Sequence, residues 1–195
     1  MDKKTFRKIC IEKAKRERRI NRYKLDSLVN QELYKLIKKE RAHTVMLYVP
    51  LKIEVDISSL IKKLRREKKT VLVPFMEGES FSLVKYKLPL SKKQFGVKEP
   101  QKSNRYKYKI DIGIVPIIGT DSTFRRVGFG KGFYDRFFEK NHRRIEKVIF
   151  VSRSYCVSSK VISDEHDVRA ESYLTPKNCN KKSYLKKKIK DLGSL

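Results

Sequence analysis

Four short stretches, 44–49, 70–73, 110–118 and 147–152, are nearly continuous runs of Val, Ile, Leu, Met and Phe. They are too short for core helices and lack the polar–apolar alternation of a strand with one wet face. Such runs read as strands buried on both sides. A sheet of that kind must be covered by helices on both faces. The intervening segments supply them. Phe6, Ile9 and Cys10 fall on one helical face within residues 2–20. Leu25, Leu28, Val29, Leu33, Leu36 and Ile37 form a longer apolar stripe within 24–40. A third helix is expected over 57–68 with Asp56 as its cap, and a fourth over 133–141. Phe81, Leu83 and Lys85 alternate as on a half-buried strand, and 173–175 forms a last strand. Pro50 and Pro74 are expected to stop the first two strands. Residues 88–108 and 119–132 read as loops. The fold expected is α/β: a single three-layer domain over residues 1–176, with a mostly parallel central sheet flanked by helices and an N-terminal helical pair. Residues 177–195, rich in Lys, Asn and Ser, read as a basic tail.

The charge is the next constraint. Lys and Arg number 49 against 22 acids, a net charge of +27. This fits polyanionic partners such as nucleic acid, a membrane surface or phosphorylated small molecules, or simply lysine-rich solvated faces. Cys10, Cys156 and Cys179 are widely separated and lack zinc-site spacing. Their odd number points to reduced thiols in a cytoplasmic protein. Arg7, Lys8 and Lys13 interrupt the first apolar residues, which argues against a signal peptide. No apolar run approaches the roughly 20 residues of a membrane helix.

The chemistry concentrates after the third apolar run. Gly128, Gly130 and Gly132 alternate with larger residues and lead into the helix at 133. Glycines let backbone N–H groups approach an anion, and a helix N-terminus adds unpaired donors. Arg125, Arg126 and Lys131 add full charges. Asp135, one turn into the helix, is placed to hold phosphate-bound Mg²⁺. The pattern is neither a Walker A loop nor a dinucleotide fingerprint. A ligand-free tight turn remains the alternative on spacing alone.

The stretch Val127-Gly128-Phe129-Gly130-Lys131-Gly132-Phe133-Tyr134-Asp135-Arg136 resembles the signature of the 5-formyltetrahydrofolate cyclo-ligase family, usually Leu-Gly-x-Gly-x-Gly-Tyr-Tyr-Asp. Other segments match in order: Lys3-Lys4-Thr5-Phe6-Arg7; Leu47-Tyr48-Val49-Pro50 with Glu54-Val55-Asp56; Phe95-Gly96-Val97 with Glu99-Pro100; Ile114-Val115-Pro116 leading to Asp121; and His166-Asp167-Val168. The resemblance spans roughly residues 3–176. It implies ATP-driven closure of 5-formyltetrahydrofolate to 5,10-methenyltetrahydrofolate, with Mg²⁺ as cofactor, in a cytoplasmic, monomeric enzyme with no membrane partner. It places Lys3, Lys4, Arg7 and Arg126, Val127, Gly128, Phe129, Gly130, Lys131, Gly132, Phe133 and Tyr134 around ATP. Val49 and Glu54 would contact the folate, as would 129–133, which bridge the ligands. Asp135 and Asp167 would hold Mg²⁺, and His166 would be structural.

Three residues depart from that pattern. Phe133 replaces the first Tyr, Phe124 stands at a usual Gly, so that its turn is expected to differ, and Phe75 replaces a basic residue. Two other readings stay open: a basic nucleic-acid-binding protein on the same fold, and an ATP binder without turnover.

Overall fold

The computed structural model describes residues 1–19, 22–92, 98–101, 103–180 and 185–186. Helices α1 (Lys3–Arg19) and α2 (Arg22–Lys39) precede the first strand, β1 (Thr44–Met46). Then follow α3 (Ser58–Arg66), β2 (Thr70–Glu77), β3 (Ser80–Lys85), the hairpin β4 (Leu90–Lys92) and β5 (Lys98–Pro100), and β6 (Ile110–Pro116). A second hairpin, β7 (Gly119–Asp121) and β8 (Arg126–Val127), leads to α4 (Phe133–Asn141). The chain continues through β9 (Ile145–Val151), β10 (Val157–Ser158), β11 (Ser172–Leu174), α5 (Pro176–Asn180) and β12 (Leu185–Lys186).

The central sheet runs β12-β11-β9-β6-β1-β2-β3. The pairs from β11 to β2 are parallel, and the edge strands β12 and β3 are antiparallel. The four apolar runs supply β1, β2, β6 and β9, and their side chains divide between two cores. Val45, Val71, Ile149 and Val151 pack with α2 and α3; Met46, Leu72, Val148 and Phe150 pack with Phe137 and Phe138 of α4. That division across the pleat is what a sheet covered on both faces requires.

Several local expectations are corrected. The first strand ends at Met46 rather than 49. Pro74 does not end the second: β2 continues to Glu77. Leu72 is the last β2 residue in register with β1, so beyond it proline's missing N–H breaks no ladder with β1, while the pairing with β3 continues. The expected loops 88–108 and 119–132 contain the two hairpins, whose strands of two or three residues are too short to show a period. The formal cap of α3 is Ile57; Asp56, one residue earlier, accepts a bond from the Ser58 N–H at 3.0 Å. Phe124 does not remove its turn's glycine-like geometry, because it takes φ +58° itself. Helix α5 crosses the expected boundary at 176, with Asn178 and Cys179 buried. Phe95, Gly96 and Val97 lie outside the described residues.

The cysteines are corrected too. Cys10 of α1 and Cys156 form a disulfide, with Cα atoms 6.0 Å apart, and Cys179 is the free thiol. Phe6, Cys10, Ile118, Val127 and Cys156 make a small third core that docks α1 on the β7–β8 hairpin. Among the described residues no helix is long and apolar enough to cross a membrane.

Candidate active site

The strand order reverses direction between β1 and β6. Neighbours added after β1 run one way, to β2, and those added after β6 run the other, to β9 and β11. In a parallel sheet the crevice outside the carboxyl ends of two such strands is the natural ligand site. A cleft of about 320 Å³ lies there, with Tyr48 and Val49 just beyond β1 and Pro116 ending β6. Glu54 lines the same cleft, as do Arg126, Phe129 and the stretch from Lys131 to Tyr134. The cleft lining thus brings together the residues expected at the folate except Gly130, and half of those expected at ATP: Lys3, Lys4, Arg7, Val127, Gly128 and Gly130 are not part of it. It adds Met76, Phe81 and Lys98, which no local motif marked.

The glycine loop builds one wall. Gly130 and Gly132 have φ of +90° and +68°, where an L side chain would be strained. At Gly128 the obstacle is packing: a Cβ would come within 2.4 Å of the Arg126 guanidinium. That guanidinium is buried. Its Nε donates to the Pro116 carbonyl at 3.3 Å, Nη1 lies 3.6 Å from the Asp135 carboxylate, and Cζ stands 4.8 Å over the Tyr134 ring. Arg126 therefore joins the end of β6 to the first turn of α4. Arg136, one turn into α4, donates to the Lys131 carbonyl at 2.7 Å and closes the loop from outside.

Helix α1 reaches this wall through Arg7, whose Nε donates to the Gly128 carbonyl at 2.7 Å. Lys4 is exposed. Lys3 turns to the acidic segment, pairing with Asp164 at 2.8 Å and with Asp167. Asp164, His166 and Asp167 bring potential ligand atoms within 4.8 Å of one another. Asp135 belongs to the same neighbourhood, since its Oδ1 accepts from the Val168 N–H at 3.4 Å. Carboxylate oxygens around one turn are the donors a hard cation prefers.

Asp121 anchors that segment. Its Oδ1 accepts from the N–H and hydroxyl of Thr123, and its Oδ2 from the N–H groups of Ile162 and Ser163 at 2.9 and 2.8 Å. Burial pushes its carboxyl up, but these bonds outweigh it and hold the group well below the ordinary carboxylate range.

The other wall is the turn after β1. The Glu54 N–H donates to the Leu51 carbonyl, and the Leu51 N–H donates back to the Glu54 carboxylate at 2.8 Å. Burial pushes the Glu54 carboxyl up to about 7, against the pull of the Leu51 N–H, Arg126 and Arg153. Glu54 is thus poised between carboxyl and carboxylate near neutrality. Tyr48 and Tyr134 are both held as neutral phenols, mainly by burial and then by the Glu54 charge.

Comparison with known proteins follows this geometry. A 5-formyltetrahydrofolate cyclo-ligase of Mycoplasma pneumoniae is 27% identical over 149 residues, 76% of this chain and 84% of that one. One of Haemophilus influenzae is 26% identical over 125 residues, 60% of this chain and 67% of that one. The NMR structure of the Aquifex aeolicus 5,10-methenyltetrahydrofolate synthetase superposes with a TM-score of 0.74 at 28% identity, covering 100% of this chain and 96% of that one. The M. pneumoniae synthetase structure superposes with a TM-score of 0.68 at 25% identity, covering 89% and 98%. The sequence profile of the 5-formyltetrahydrofolate cyclo-ligase family matches residues 2–176, and the chain belongs to that family.

Proposed function

We propose that this cleft binds 5-formyltetrahydrofolate against Val49 and Glu54 and ATP against the glycine loop, and cyclises the folate to 5,10-methenyltetrahydrofolate with release of ADP and phosphate. One observation carries the assignment of residues: Glu54, Phe129 and the stretch from Lys131 to Tyr134 line a single cleft at the carboxyl ends of β1 and β6. The reaction needs two ligands meeting end to end, and the two walls meet there.

The chemical problem is a poor leaving group. Transfer of the γ-phosphoryl group to the formyl oxygen makes an iminium phosphate. N10 then attacks the formyl carbon, the C–O bond breaks, phosphate leaves and N10 loses its proton. The protein's task is alignment of the formyl oxygen with the γ-phosphate and neutralisation of charge. Backbone N–H groups between Arg126 and Tyr134, with Lys131 and Arg7, serve the phosphates. Lys3 joins them from α1, exchanging its carboxylate partners for phosphate oxygens, and Lys4 lends longer-range charge. Mg²⁺ held by Asp135 and Asp167 would neutralise charge on the transferring phosphate. Glu54 as carboxylate accepts from the N–H donors of the pterin ring, while Phe129 and Phe133 cover its apolar parts. The protein acts as a monomer, and its basic surface draws anionic substrates, including polyglutamylated folates.

The test is spectrophotometric. Purified protein with 5-formyltetrahydrofolate, ATP and Mg²⁺ should develop the near-ultraviolet band of the conjugated methenyl bridge only when all three are present. A folded protein that binds ATP but never develops the band would sink the assignment.

A further inference from the structure

The Glu54 turn rests on a buried ion pair that no local motif announces. Arg153 follows the end of β9, and its side chain is 1% exposed; that of Asp26, on α2, is 6% exposed. Arg153 Nε donates to Asp26 Oδ1 at 2.9 Å and Nη2 to Oδ2 at 2.8 Å, a bidentate fork. The remaining donors face the turn: Nη1 donates to the Ile53 carbonyl at 3.1 Å and Nη2 to the Glu54 carbonyl. Asp26 Oδ2 also accepts from the Asp56 N–H at 3.1 Å. Arg153 thus holds two carbonyls of the turn and Asp26 an N–H two residues on. Neither side chain lines the cleft.

A buried pair is a doubtful source of net stability, because desolvating two charges offsets their attraction. What this one does unambiguously is fix peptide planes. Two consecutive carbonyls bonded to one planar guanidinium leave the Glu54 Cα little freedom, so the direction of its side chain is set from behind. Resting on the assignment of Glu54 to the folate, we propose that Arg153 and Asp26 are positioning residues for folate affinity, with no part in nucleotide binding. Lysine cannot replace arginine here, since one ammonium lacks the planar fork that reaches carboxylate and carbonyls together.

Two variants test this. Arg153→Lys keeps the charge and loses the fork. Asp26→Leu with Arg153→Met removes both charges, an exchange that buried pairs generally tolerate in stability. Both should raise KM for 5-formyltetrahydrofolate about tenfold and leave KM for ATP within about twofold. The dissociation constant for 5-formyltetrahydrofolate without ATP should rise in parallel. A purely structural role would lower kcat through the active fraction and leave both KM values alone. Folded variants with an unchanged folate KM overturn the proposal while the functional reading stands. Absence of cyclisation by the unmodified protein, assayed alongside, overturns the functional reading and the proposal together.

Discussion

The two walls of the cleft are held by opposite means. The wall proposed to take the nucleotide is contiguous in sequence, from Arg126 to Arg136, and its shape follows from positive-φ glycines and the first turn of α4. The N-terminal helix α1, which reaches it through Arg7, is docked by a small apolar core and the Cys10–Cys156 bond. The folate wall is a short turn with no glycine, steadied by residues from α2 and the end of β9 that lie 127 positions apart. One wall is written locally and the other is assembled. They should therefore fail differently, the first through backbone or charge at a single position, the second through loss of a partner elsewhere in the chain.

The largest effect is expected at Asp135. Asp135→Asn keeps the shape of the first turn of α4 and removes the charge proposed to hold Mg²⁺. Turnover should fall by at least about a hundredfold with folate affinity little changed, while the melting temperature falls because the buried Arg126 guanidinium loses its carboxylate partner. Equal losses of ATP-dependent turnover and of folate binding in the absence of nucleotide would break the comparison, because one carboxylate would then be serving both walls.

Reduction of the disulfide comes next. Removing a bridge of this kind costs about 2–4 kcal/mol, or roughly 5–15 °C in Tm for a chain of this length. Since α1 carries Lys3 and Arg7, KM for ATP should rise severalfold while KM for folate holds. Calorimetry and kinetics with and without reductant, against Cys10→Ala as control, measure both. An unchanged melting temperature would mean that Phe6, Ile118 and Val127 dock the helix unaided.

These two walls also explain what was legible in the sequence. The central strands were, because a run such as the one around Ile112 and Ile114 has no other stable placement. The glycine loop was, because its function requires residues close together in the chain. The β4–β5 and β7–β8 hairpins were not, because strands of two or three residues show no period. Pro74 misled because proline's effect depends on whether a neighbour lies alongside, which is a tertiary fact. The Asp26–Arg153 pair and the Cys10–Cys156 bond were invisible for the same reason. Each joins residues more than a hundred positions apart, and nothing near either partner specifies the other.

A smaller effect is expected from titrating the folate wall. Free Glu54 titrates near 4.5 and the buried group near 7. Between those values the folded chain holds the proton more tightly than the unfolded chain. Stability therefore falls as pH rises from about 4.5 to about 7 and is flat above. Glu54→Gln should be more stable than the unmodified protein at pH 8 by about 1–3 kcal/mol, and no more stable at pH 4. The same ionisation should lower the folate KM as pH rises through 7, and the glutamine variant should lose that dependence. Parallel stability profiles for the two proteins would show that the cleft solvates Glu54 well enough to leave it an ordinary carboxylate.

The smallest effect belongs to the residue shared by both walls. Phe133 opens α4, lines the cleft and stands where the resemblance of the glycine loop leads one to expect tyrosine. Phe133→Tyr adds one hydroxyl to a space lined mostly by carbon. A hydroxyl that finds a partner on a bound ligand contributes about 0.5–1.5 kcal/mol; one left unpaired costs a similar amount or more. If the folate supplies the partner, kcat/KM for 5-formyltetrahydrofolate should rise about threefold with KM for ATP unchanged. A rise confined to ATP would move Phe133 to the nucleotide wall. A fall in both would mean that the surrounding side chains, Met76 and Phe81 among them, have closed around a phenyl ring, so that the missing hydroxyl is compensated by packing rather than simply lost.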